Sequence, residues 1–107
     1  MAALPAILTE NLDAIRALCA RHHVKRLAVF GSAVKGTFDP ERSDLDFVVE
    51  LLPNPDPLAR GRAYLALMVA MRSLLGREID LVERTAVRNP YFLQVLDLSE
   101  QPLYDAA

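Results

Sequence analysis

Runs of helical period alternate with strand-like runs along this chain, and that alternation restricts it to a small sheet covered by helices. Leu8, Leu12, Ile15 and Cys19 recur on one helical stripe that leaves Glu10, Asp13 and Arg16 outside it, so a first helix is expected over about residues 5–22. The run from Lys25 to Phe30 ends in apolar residues and meets Gly31 and Ser32, the pattern of a buried strand stopped by a glycine turn. A short helix over 32–36 and an exposed loop over 36–43 follow, then a second strand over 44–51. Pro53, Pro55 and Pro57 cannot continue that strand. Asp56 before Pro57 opens a third helix, which runs to about Leu75 and stops at Gly76. Arg77 to Glu83 alternates polar and apolar residues as a third strand, and Asn89 with Pro90 caps a last helix reaching about Leu98. The expected order is αβαβαβα. This is an α/β (α+β) fold in which about four helices flank a mixed sheet of three strands or slightly more.

At 107 residues the chain fits one domain spanning 1–107, and 52% hydrophobic residues exclude disorder. A net charge of -2 leaves no basic footprint for duplex nucleic acid, although metal and a few donors could still hold a single nucleotide. The lone Cys19 forms no intrachain disulfide, which favours a reducing compartment, the cytoplasm. No basic, apolar leader opens the chain, and the most apolar stretch, Ala63 to Met71, falls short of the ~20 residues a bilayer span needs. A soluble protein without a membrane partner is expected.

Chemistry concentrates in three aspartates. Asp44 and Asp46 lie two apart on an expected strand and leave the same sheet face, while Leu45 and Phe47 point the other way. Two carboxylates so placed repel one another and need water or a cation. Mg²⁺ takes oxygen ligands of this kind and keeps room for substrate phosphates. Asp80, between Ile79 and Leu81, repeats the setting of Asp46 and joins the pair if the strands are neighbours. Such a cluster can hold two ions about 3.5–4 Å apart. Upstream, the turn at Gly31 and Ser32 lets backbone amides and a hydroxyl approach a phosphate. A lone glycine-serine turn or a lone Asp-x-Asp is ordinarily just a turn or a solvated edge. The meaning lies in their combination at strand ends.

The run from Phe30 to Val49 resembles the signature of the minimal nucleotidyltransferase (MNT) family within the DNA polymerase beta superfamily, and size and element order agree over nearly the whole chain. The resemblance implies the nucleotidyltransferase fold. It also implies metal binding by Asp44, Asp46 and Asp80, with Asp80 acting on an acceptor hydroxyl, and nucleotide binding by Gly31, Ser32 and Ser43. Lys35 stands where many relatives carry arginine, so it keeps the charge but loses the two-pronged geometry. Family members are commonly antitoxins paired with a HEPN-domain ribonuclease toxin, some placing AMP from ATP on a toxin tyrosine with Mg²⁺, two ions being expected. Masking of the toxin without catalysis is an alternative. Another is an antibiotic-type, small-molecule nucleotidyltransferase relying on a separate helical subunit.

Other residues fit structural roles. His22 and His23 close the first helix, and Cys19 lies on its apolar stripe. The third helix is apolar over a wide arc, so its second face either meets a partner subunit, including a homo-oligomer, or is wrapped within the monomer. Arg60, Arg62 and Arg72 form a solvated face or anchor a partner.

Overall fold

Alternate residues of the strand that follows Asp44 go to opposite sides of a sheet, and this division organises the molecule. Leu45, Phe47 and Val49 are fully buried on one side, whereas Asp46 and Val48 belong to the other. The structure, a computed structural model, describes residues 4–106. Its elements are α1 (Ala6–Thr9), α2 (Leu12–Arg21), β1 (Val24–Phe30), α3 (Ser32–Lys35), β2 (Leu45–Leu51), α4 (Pro57–Leu75), β3 (Ile79–Glu83), a 3₁₀ turn (Arg84–Ala86), α5 (Pro90–Ser99) and β4 (Gln101–Asp105). The sheet order is β3-β2-β1-β4, with β1 antiparallel to β2 and β4, and β2 parallel to β3.

The main core lies between one sheet face and helices α2 and α4, where Ile15, Cys19, Leu27, Phe47, Leu67 and Met71 are fully buried. A smaller cluster of Ala28, Val48 and Leu96, with Phe30 and Phe92 against it, packs α5 onto the other face. Helix boundaries follow the caps read in the sequence. The Asp56 carboxylate accepts from the Leu58 N–H at 3.0 Å, Gly76 takes the left-handed conformation, and Asn89 Oδ1 accepts from the Tyr91 N–H at 2.9 Å. Burial pushes the Cys19 thiol up to about 12, so it is an inert core residue.

Two features depart from the expected order. The first helix is two pieces, because Asn11 Nδ2 donates to the Ile7 carbonyl at 2.8 Å while the Asn11 N–H turns to Leu8. The fourth strand, β4, was hidden by Pro102, which lacks a ladder donor yet is tolerated at a sheet edge.

An ion cluster fastens α5 and the 3₁₀ turn to the sheet. Glu100, whose side chain is only 5% exposed, accepts from both Arg26 and Arg84, and Arg84 also pairs with Asp97 and Glu50. Removing Arg84 takes the guanidinium from Asp97 and leaves the buried Glu100 with Arg26 alone and Glu50 with Lys25 at 3.8 Å, so Arg84→Ala should lower the unfolding free energy by about 2–3 kcal/mol. A urea midpoint unchanged from the wild type would show that the cluster contributes no net stability.

Candidate active site

Parallel pairing of β2 with β3 sets Asp46 directly beside Asp80 on the sheet face opposite the main core. Adjacent parallel strands in register bring such side chains to within contact distance, and here the two carboxyls share a hydrogen bond. Burial, then that bond and the charges of Asp80 and Asp44, push Asp46 up to about 6. Asp44 lies one residue ahead of β2, exposed, and acts on Asp46 through its charge. The arrangement holds three carboxyls at one sheet end, and the other two resist the ionisation of Asp46.

On the other side of Asp46 stands the end of β1. Phe30 pairs with Asp46 in register, and Gly31 follows with φ 74° and ψ −145°, a conformation essentially closed to other residues. A β-carbon at Gly31 would collide with Asp46 Oδ2, so the glycine both makes the turn and leaves the space the carboxylate fills. Ser32 begins α3 immediately afterwards, and the first amides of a helix lack intrahelical acceptors.

The loop leading to Asp44 is tied by its own side chains. The Asp39 N–H donates to Ser43 Oγ at 2.9 Å, and Asp39 Oδ1 accepts from the Glu41 N–H at 2.9 Å. Arg77 donates to the Pro40 carbonyl and, at 3.5 Å, to that of Ser43, and its guanidinium lies 5.1 Å from the Phe38 ring centre. Sequence reading took Arg77 only as a strand residue. Its anchoring role needs contacts across more than thirty positions of sequence, which no local pattern signals. Phe92 was likewise missed, although it packs edge-on against Phe30 at 5.8 Å and so supports the floor beside Gly31.

Of the residues expected to form the site, Asp46, Asp80 and Gly31 are brought into contact, and Asp44 and Ser32 adjoin them in the chain. Ser43 serves the loop through its hydroxyl, and Lys35 is exposed in the last turn of α3. The oxygen-only donors of Asp46 and Asp80 fit a hard divalent cation, which would also relieve their mutual repulsion. Among the described residues, no three His, Cys, Asp or Glu side chains are gathered into a ligand set. A hollow of about 560 Å³ lies instead at the far end of β2, lined by Arg21, His23, Leu51 and Asn54. Among the described residues no carboxylate lines it, in contrast to the open aspartate end.

The profile of the nucleotidyltransferase domain family matches residues 13–98. Two proteins of Methanocaldococcus jannaschii named as candidate protein adenylyltransferases are similar. One is 34% identical over 77 residues, covering 72% of this chain and 74% of the relative. The other is 35% identical over 71 residues, covering 66% and 68%. A solved structure of a candidate minimal nucleotidyltransferase is 33% identical, covers 90% of this chain and 92% of that one, and superposes with a TM-score of 0.68. The fold is shared more distantly with a chain of a toxin–antitoxin crystal structure with AMP-PNP, at 22% identity and a TM-score of 0.66 over 90% of this chain and 74% of that one. A chain from the complex of tri-AMPylated Shewanella oneidensis HEPN toxin with MNT antitoxin shares it too, at 20% identity and a TM-score of 0.60 over 92% and 72%. With the paired aspartates and the glycine turn in place, this chain belongs to the nucleotidyltransferase domain family and is an enzyme of the minimal nucleotidyltransferase type.

Proposed function

We propose that this chain is a cytoplasmic antitoxin that moves AMP from ATP onto a tyrosine hydroxyl of a HEPN-domain toxin. The observation that carries the reading is the Asp46–Asp80 pair set against Gly31. Similarity to candidate protein adenylyltransferases supports AMP as the transferred group, and the fold common to MNT antitoxins supports the partner.

In this reading Gly31 and Ser32 receive the triphosphate, with Ser43 and Lys35 at the margin of the site. Asp44, Asp46 and Asp80 would hold Mg²⁺, two ions in all, and the metal would supply charge neutralisation for the phosphates. The acceptor oxygen bonds to the alpha phosphorus, the bond to the bridging oxygen of the beta phosphate breaks, and pyrophosphate departs with the electron pair. A tyrosine hydroxyl has a free pKa near ~10 and needs its proton drawn off. In this reading the Asp80 carboxylate takes it, while Asp46 holds its neighbour in position. Most of the acceleration is then positioning and charge neutralisation.

Incubating a HEPN-domain toxin with wild-type enzyme, ATP and Mg²⁺ should add whole AMP units to the toxin's intact mass and silence its ribonuclease. Silencing with no mass change would replace the reading by stoichiometric masking.

A further inference from the structure

Helix α4 presents two opposite faces, and among the described residues only one has a partner. Leu67, Met71 and Leu75 of α4 are buried against the sheet. Directly opposite, Leu58, Leu65 and Val69 share a stripe at seven- and four-residue spacing and are 63%, 59% and 66% exposed. Arg62 and Arg72 lie on the same stripe, the latter paired with Glu78 at 3.2 Å, and no acidic residue occurs anywhere in Pro57–Leu75. Gly61 borders this face between Leu58 and Leu65. A β-carbon there would meet nothing within 4 Å, so no contact among the described residues requires the glycine, although glycine weakens a helix interior relative to alanine. A glycine flattens a helix face and lets a second backbone come close.

The geometry points to the outer face of α4 as a docking surface for an acidic amphipathic helix of a partner protein. Apolar residues of that helix cover Leu58, Leu65 and Val69, its backbone passes close to Gly61, and its carboxylates meet Arg62 and Arg72. A second copy of this chain fits less well, because its own α4 brings further arginines and no carboxylate to the seam. The Arg72 end of the face lies at the aspartate end of the sheet, since only residues 76–78 separate α4 from β3. A helix held there shares the end of the molecule that carries Asp46 and Asp80, with α4 and the sheet between them. The inference deepens the proposed function by naming the face that holds the protein partner, and rests on it for the existence of that partner.

The test uses a fluorescent amphipathic peptide of about 20 residues with leucines on one face and glutamates flanking them, and its lysine-flanked counterpart. Anisotropy should show saturable binding of the acidic peptide only. Leu65→Glu with Val69→Glu should weaken it by about tenfold or more while leaving ATP binding intact, and Arg62→Glu with Arg72→Glu should transfer preference to the lysine peptide. Gly61→Ala should raise the melting temperature yet weaken the peptide. Equal binding of both peptides, or loss on Val95→Glu with Leu98→Glu of α5 but not on the α4 changes, would overturn the inference. So would self-association of the chain that Leu65→Glu with Val69→Glu dissolves. Loss of ATP binding by the wild type would instead strike the catalytic reading, leaving the docking result to stand or fall by itself.

Discussion

Asparagine in place of Asp46 should yield a protein that is more stable than the wild type and almost inactive. AMP transfer should fall by about 10² or more, because the changed side chain no longer offers a charged oxygen to a cation beside Asp80. Adding Asp44→Asn should take the residual transfer to background. Stability moves the other way. Burial and the nearby acids raise Asp46 from 3.8 to about 6 in the folded chain, so folding favours its protonated form. That contribution is fully present below about pH 4 and is lost as pH rises through about 6. An asparagine there has no proton to lose, and its amide can donate to the Asp80 carboxylate at every pH in this window. The variant should therefore match the wild type near pH 4 and exceed it above pH 6. Because Asp46 is partly open to solvent, the gain is about 1 kcal/mol rather than the full equivalent of the shift. Urea unfolding across this range in the presence of a chelator measures it. A stability difference independent of pH would show that Asp46 is not held against its neighbours, and full transfer by the variant would remove it from the site.

Much of this arrangement was legible because each local signal agreed with the tertiary one. The Asp56-Pro57 start and Gly76 stop of α4 are chemical caps that act over a few residues, and the structure uses both. The alternation in β2 fixed which face carries Asp46, and the same period in β3 fixed Asp80, so a single parallel pairing sufficed to unite them. What the pattern could not supply were contacts between distant segments. Arg77 reaching back to Pro40 and Ser43, and Phe92 packing on Phe30, depend on where helices and loops return, which periodicity does not encode. The split at Asn11 turned on one side chain competing for a backbone carbonyl, and β4 was concealed by the rule that proline argues against a strand. Asp44 shows a subtler difference. Its spacing from Asp46 suggested an equivalent partner on the strand, yet it stands just outside β2, exposed at the end of the tied loop.

Alanine at Gly31 should damage both the fold and the reaction, through separable causes. The backbone there, φ 74° and ψ −145°, is one that a β-carbon strongly disfavours, and this strain should cost about 1–3 kcal/mol of stability. The new methyl also collides with Asp46 Oδ2. A carboxylate at the end of a rotatable side chain can swing away, so the collision is relieved cheaply in stability but at the expense of the pairing with Asp80. Transfer should consequently drop by about 10² or more even at temperatures where the variant remains folded. Combining Gly31→Ala with Asp46→Ala distinguishes the two effects. Without the carboxylate only backbone strain is left, so the double variant should be more stable than the sum of the single changes predicts, by about 1 kcal/mol. Strict additivity in urea unfolding would mean that Gly31 is required solely for its turn. The close approach of Asp46 would then have no bearing on why the chain places a glycine beside its aspartates.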